Sequence, residues 1–162
     1  MTFDINKLYS IGFNSKNRAQ ALLDLLKDSP PQIFWPAFQQ VWPDCDDTWL
    51  LQDDIVAAMR LAGDARPFLQ GADKSFIEAL PKDVTIYRGC SRSRVRGLSW
   101  TTDLSTAKAF ARGHRGIKFP DAVVATSIVP SWCVRTAFTV RDEAEVLIDP
   151  ASLSGFSTEA VQ

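Results

Sequence analysis

Two carboxylates lie two residues apart in the second half of the chain, where they could do chemistry. Glu143 and Glu145 lead into the apolar, β-branched run Val146–Ile148. Alternate residues of a strand point to the same face of a sheet, so both carboxylates are expected on one side. A carboxylate in a cleft can stabilise a cation or accept a proton, and its neighbour can act on a second group. The structural alternative is a solvated strand entry.

Hydroxyl side chains alternate with large apolar ones in a second β-prone segment, residues 97–102. Ser99 and Thr101 would share one strand face, and Trp100 would lie on the other. Small hydroxyl residues that face a cleft can order a bound ligand. Ser99 and Thr101 can equally be small residues under a packed sheet. Trp100 has two interpretations of its own: it can belong to the core, or it can stack on a ligand.

An arginine followed by a glycine ends a third β-prone segment, Ile86-Tyr87-Arg88-Gly89. The guanidinium of Arg88 presents a rigid fork that matches two phosphate oxygens at once. Gly89 allows the backbone to approach a ligand closely. The structural alternative is an ion pair at the end of a strand.

These segments, taken in order, resemble the mono-ADP-ribosyltransferase family of the Arg-Ser-Glu type. The matching pieces are Tyr87-Arg88-Gly89, Leu98-Ser99-Trp100-Thr101 and Glu143-Ala144-Glu145-Val146-Leu147-Ile148. The resemblance covers about 84–150, and its last motif is the most specific. It implies an α+β fold with a split core, in which two small sheets face each other with NAD in the cleft. Residues 1–82 would form an N-terminal helical lobe, and residues 83–162 the NAD-binding core.

The same resemblance implies a role for each motif. Glu145 would hold the ribose 2′-hydroxyl and stabilise the oxocarbenium ion as nicotinamide leaves, and Glu143 would orient or deprotonate the acceptor. Ser99 would hydrogen-bond toward Glu145 and the nicotinamide ribose, and Arg88 would hold the diphosphate. Adjacent positions complete the expected NAD-binding set: Tyr87, Gly89, Trp100 and Thr101. NAD is a substrate here, and no metal is expected because nicotinamide leaves as a neutral molecule.

The motifs depart from the family pattern in two ways. Arg88 and Ser99 are eleven positions apart, which is short, and Ser-Trp-Thr stands where Ser-Thr-Ser is common. If the short bridge displaces Arg88, another arginine is expected to bind the diphosphate; the candidates are Arg92, Arg94 and Arg96. The aromatic residue that would stack on nicotinamide is not identified, and the candidates are Phe110, Phe119 and Phe138. His114 lies in a basic loop. Its side chain can either contact NAD or the acceptor, or simply be solvated.

The net charge of −1 conceals a block of positive charge. Residues 86–118 carry eight basic groups and one acidic group, so this block is +7 between two flanking blocks of −4. A local positive field attracts phosphate. It fits the NAD diphosphate, and with Trp100 and Phe110 it also fits a nucleic-acid partner.

Hydrophobic spacing indicates that helices come first and strands follow, which is typical of an α+β fold. Helices are predicted from residues 14 or 15 to 27, from Pro36 to Pro43, from 47 or 48 to 63, over 74–80 and over 103–112. Strands are predicted over 84–87, 98–102, 122–129, 134–140 and 144–148. Residues 1–10 and 152–162 are expected to be loosely ordered.

Length and composition exclude several classes of protein for this chain. The chain of 162 residues fits one domain or a core with a small lobe, and its single histidine disfavours a histidine triad or a multi-histidine metal site. With no run of 18 apolar residues and no leader-like start, we expect a cytoplasmic protein with no membrane partner.

The predicted function is transfer of ADP-ribose to a macromolecule, preferably a protein arginine, by a bacterial or phage effector or toxin. An immunity or antitoxin partner is compatible with such a function. The alternatives are an NAD glycohydrolase with the same site, and a non-catalytic module that binds nucleic acid or protein.

Overall fold

The computed structural model describes residues 4–113, 116 and 118–161. Within these ranges the chain forms five α-helices and six β-strands, linked by short 3-10 turns. The helices are α1 Arg18–Leu26, α2 Pro31–Val41, α3 Gln52–Ala62, α4 Gly71–Glu78 and α5 Leu104–Ala111. The strands are β1 Asp83–Ser91, β2 Ser99–Thr101, β3 Ala122–Pro130, β4 Val134–Phe138, β5 Glu145–Ile148 and β6 Ser157–Ala160. The α+β prediction is confirmed. None of the helices in this part of the chain has the length and hydrophobicity needed to cross a bilayer.

Helix α2 begins earlier than the sequence pattern predicted. Pro31 occupies its first turn, where a missing N–H costs nothing because that donor has no partner within the helix. Pro36, the predicted start, lies inside the helix instead. The buried side chains of α2 stabilise it, and the rings of Phe34 and Phe38 stack with centroids 5.5 Å apart. The prediction that the helix begins at Pro36 is therefore wrong.

The chain divides into two compact units, one ending at Leu69 and the other beginning at Gln70. The division lies before the boundary predicted after residue 82. Helix α4 therefore belongs to the unit that contains the strands. There its Ile77 is buried, and its Asp73 accepts hydrogen bonds from Thr139.

The strands form one antiparallel sheet in the order β4-β5-β2-β1-β3-β6. β1 and β3 pair along their whole length, from Asp83↔Pro130 to Ser91↔Ala122. In contrast, β1 and β2 pair at a single position in the described chain, Tyr87↔Thr101. The expected pair of separate facing sheets is therefore corrected to one sheet. The junction between β1 and β2 is therefore narrow, and it divides the sheet into two halves.

Strand β6 was not predicted, because 152–162 was expected to be loosely ordered. Ser157–Ala160 pairs with β3 through Val123↔Ala160 and Thr126↔Ser157. Three of its four residues are polar and three are exposed, as suits an edge strand with one side in solvent. Such a segment lacks the apolar alternation by which strands are recognised in a sequence.

Helix α5 packs directly on β1. Its predicted cap is confirmed: the Asp103 carboxylate accepts hydrogen bonds from the N–H groups of Ser105 and Thr106, at 3.0 and 3.3 Å. At Gly89 the helix backbone comes so close that a Cβ would overlap the Ala107 carbonyl oxygen and lie 2.6 Å from the Ala111 nitrogen. Gly89 thus permits close contact between helix and strand.

We expect Gly89→Ala to lower the free energy of unfolding by about 1–3 kcal/mol, because α5 must move away from β1 to make room. Urea denaturation checks this prediction. Gly155→Ala is the matched control, since a Cβ at Gly155 meets no atom within 4 Å. Equal effects of the two substitutions would contradict it.

Candidate functional site

A serine and a glutamate meet across β2 and β5. The register pairs Thr101 with Glu145 and Ser99 with Leu147, so Ser99 and Glu145 are diagonal neighbours on one face. The Ser99 hydroxyl donates to Glu145 Oε1 at 2.8 Å. Both residues are half-buried. The contact fixes one carboxylate oxygen of Glu145 relative to β2.

Thr101 anchors the segment that carries the other glutamate. Its buried hydroxyl donates to the Glu143 carbonyl at 2.6 Å and accepts from the Asp103 N–H at 3.0 Å. Next to it, the Thr102 N–H donates to the Ala144 carbonyl at 3.2 Å. Thr101 therefore positions the backbone beside Glu145. Its hydroxyl is engaged by the protein's own main chain.

Residues 139–144 connect β4 to β5, and we call this segment the hairpin turn. The last paired residues before it are Phe138 and Glu145. Arg141, Asp142 and Ala144 all adopt positive φ, at 65°, 53° and 45°. Such a conformation costs a non-glycine residue about 1–3 kcal/mol and persists only where the surroundings impose it. Glu143, half-buried within this turn, is therefore held on a strained backbone beside Glu145.

Arg88 directs its guanidinium toward the segment that joins β1 to β2. Nε donates to the Arg94 carbonyl at 3.0 Å, and Nη1 donates to the Ser99 carbonyl at 2.7 Å. Strand alternation places Arg88 on the face opposite its neighbour Tyr87. The bond to Ser99 connects β1 with β2 beside their narrow junction. Arg88 thus fixes the backbone of the serine that contacts Glu145.

Burial dominates the electrostatics around Arg88. It lowers the pKa of the guanidinium from its ordinary value, and the charge of Glu145 acts in the opposite direction. Burial also raises the pKa of the Cys90 thiol, which Arg88 partly offsets. A raised thiol pKa disfavours the thiolate, so Cys90 is a poor nucleophile.

Gly97 forms the surface on which the Arg88 guanidinium lies. A Cβ at Gly97 would overlap the guanidinium carbon and lie 2.5 Å from Nε. The Gly97 carbonyl also accepts from the Trp100 indole N–H at 2.9 Å. Trp100 itself is 2% exposed. Of the two interpretations of Trp100, the structure favours core packing over contact with a ligand.

Gly97→Ala is expected to lower the free energy of unfolding by about 1.5–3 kcal/mol, because the displaced guanidinium loses its hydrogen bonds to two carbonyls. In an Arg88→Ala background the same substitution should cost much less, since the overlapping group is gone. A double-mutant cycle by urea denaturation measures this coupling. Additive effects would show that Gly97 and Arg88 act independently.

The remaining predicted site residues have mainly structural surroundings. Tyr87 packs against the cluster of Ala107, Ala111 and Val124, and Gly89 faces α5. Among the aromatic candidates for stacking, Phe138 is 1% exposed, whereas Phe110 and Phe119 are half-buried. His114 lies outside the described residues.

The three arginines proposed as alternatives to Arg88 have different surroundings. Arg94 is half-buried and close enough to Arg88 for its charge to lower the pKa of that guanidinium further. Arg92 is exposed and donates to the Thr158 hydroxyl at 3.4 Å. Arg96 is exposed, with its guanidinium carbon 5.3 Å from the centre of the Phe156 ring. Arg94 is therefore the alternative whose charge acts directly on Arg88.

Two residues that contact the site carry no signal in the sequence. Gly97 reads as a loop glycine, and its contact with Arg88 follows only from the path of the bridge. Asp73 lies in a helix that resembles no motif, although it contacts the hairpin turn. No pattern in the sequence links either residue to the site.

Among residues 4–113, 116 and 118–161 there is no group of three or more His, Cys, Asp or Glu side chains placed to hold a metal ion. The chain matches no protein-family model, and it has no significant match among curated proteins or solved structures. Its function is therefore inferred from its own residues and their geometry.

Proposed function

We propose that this chain is an NAD-dependent mono-ADP-ribosyltransferase. The observation that carries the proposal is the hydrogen bond from Ser99 to Glu145, which joins the second and third motifs of the resemblance at 2.8 Å. These residues are 46 positions apart in the sequence. Their contact is therefore independent support for the pairing that the motifs predicted.

Glu145 would act in the bond cleavage. The bond between C1′ of the ribose and the nicotinamide nitrogen breaks, and nicotinamide leaves as a neutral molecule with the bonding electron pair. Positive charge develops on C1′, and a fixed carboxylate beside it lowers the energy of that state. The Ser99 hydroxyl holds Glu145 Oε1 in place before the reaction, so little reorganisation is needed as the charge forms.

Glu143 would act on the acceptor. An acceptor nitrogen or oxygen attacks C1′ with its lone pair and must lose a proton, which Glu143 would take as general base. The strained hairpin turn and the Thr101 hydroxyl support this role, because together they hold the Glu143 backbone beside Glu145. We propose a protein as acceptor. Nucleic acid is the competing acceptor, since residues 86–118 carry a charge of +7.

Arg88 would provide positive charge near the diphosphate while it organises the site. Two of its donors bind the carbonyls of Arg94 and Ser99. Its charge therefore acts from a fixed position. Arg94 is half-buried next to it and would supply further phosphate contacts.

The experiment that tests the function is nicotinamide release from NAD by the purified chain, alone and with cell lysate. Labelled NAD reports transfer as a labelled band, and treatment with protease or nuclease identifies the class of acceptor. A release rate that rises with lysate, with label on protein, is expected. Release without label would indicate an NAD glycohydrolase, and no release by the folded chain would overturn both activities.

A further inference from the structure

The hairpin turn is anchored at its end nearest Glu145 by β2. There, Thr101 and Thr102 bond to the carbonyls of Glu143 and Ala144. Such bonds help to explain how Arg141, Asp142 and Ala144 can keep positive φ. The β4–β5 ladder ends at Phe138 and Glu145, and a second anchor outside this ladder lies at Thr139, at the other end of the turn.

Asp73 of α4 provides that second anchor. Its Oδ1 accepts from both the N–H and the hydroxyl of Thr139, each at 2.8 Å. Thr139 directly follows β4, which lies at the edge of the sheet, so its N–H needs a partner from outside the ladder. Both Asp73 and Thr139 are half-buried, which shields the two bonds from water.

We infer that Asp73 is a positioning residue for the acceptor step, because it holds the hairpin turn from which Glu143 acts. This inference rests on the proposed function. Glu145 lies in β5, where the ladder with β2 fixes it directly. Loss of the Asp73 contact should therefore disturb Glu143 far more than Glu145. The expected consequence is lower transfer with bond cleavage preserved.

The test compares Asp73→Ala with the wild-type chain, in two measurements. Amide hydrogen exchange should speed up in residues 139–144 and stay unchanged in the β1–β3 ladder. The amount of ADP-ribose transferred per nicotinamide released should fall by about tenfold, since small displacements of a catalytic group are costly. The KM for NAD should not change. Asp83→Ala, at an exposed aspartate in β1, is the matched control.

Two further variants separate positioning from loss of folding. Asp73→Asn keeps an oxygen that can accept both bonds, so it should restore most of the transfer. Thr139→Val removes one of the two bonds without altering α4, so it should change exchange and transfer in the same direction as Asp73→Ala but less.

Unchanged exchange in residues 139–144, or equal losses of transfer and release in both Asp73→Ala and Thr139→Val, would overturn the inference alone. A wild-type chain that releases no nicotinamide would overturn the proposed function and the inference with it.

Discussion

Glu145→Gln should lower nicotinamide release about 10²–10³-fold while the chain stays folded. The amide keeps the size of the side chain and an oxygen that can accept from Ser99, so the 2.8 Å contact can persist. What is lost is the negative charge that the proposed function places beside C1′. Removing one such stabilising group from a preorganised site lowers the rate by about 10²–10³-fold. The release rate at saturating NAD measures the effect, and circular dichroism with thermal melting measures folding.

Glu159→Gln is the matched control for that experiment. It makes the same chemical change on the exposed edge strand β6. Its release rate should equal that of the wild type. Retention of wild-type release by Glu145→Gln would mean that the carboxylate takes no part in the cleavage, and would leave the Ser99 contact as a structural feature.

Glu143→Ala should separate the two halves of the reaction. Its carbonyl, which accepts from Thr101, belongs to the main chain and remains in the variant. Only the carboxylate that would take the acceptor proton is removed. Transfer should therefore fall roughly 10²–10⁴-fold, the usual contribution of a general base. Nicotinamide release without an acceptor should stay within about threefold of the wild type, because interactions absent from the cleavage step do not affect its rate.

Transfer is measured with labelled NAD and a lysate acceptor, and nicotinamide release is measured with NAD alone. Glu159→Ala removes a carboxylate of the same length from β6 and should change neither quantity. Equal losses of transfer and release in Glu143→Ala would refute the acceptor role of Glu143.

Two contacts of the structure could be predicted from the sequence. The resemblance implied a hydrogen bond from Ser99 toward Glu145, and the structure contains that bond at 2.8 Å. The capping aspartate of α5 was also identified, because its bonds reach only two and three residues along the chain.

Contacts between distant residues could not be predicted in this way. Asp73 and Thr139 are 66 positions apart. An aspartate in the first turn of a helix is common because it interacts favourably with the helix dipole, so Asp73 does not stand out in the sequence. Gly97 looks like a flexible linker residue until the guanidinium of Arg88 is seen to lie on it. Likewise, the strong β propensity of 84–87 indicated strand β1, but a sequence pattern cannot tell whether neighbouring strands belong to one sheet or two.

The narrow junction between β1 and β2 limits which substitutions this protein can accept as it evolves. The two halves of the sheet meet at Tyr87 and Thr101, and the side chain of Arg88 makes a second connection to Ser99. Arg88 and Ser99, which are proposed to organise the NAD site, therefore also hold the halves together. A substitution at the junction that alters ligand binding will also weaken the contact between the two halves of the sheet. We infer that new specificity arises more readily in the exposed part of the hairpin turn, where a change leaves the junction intact.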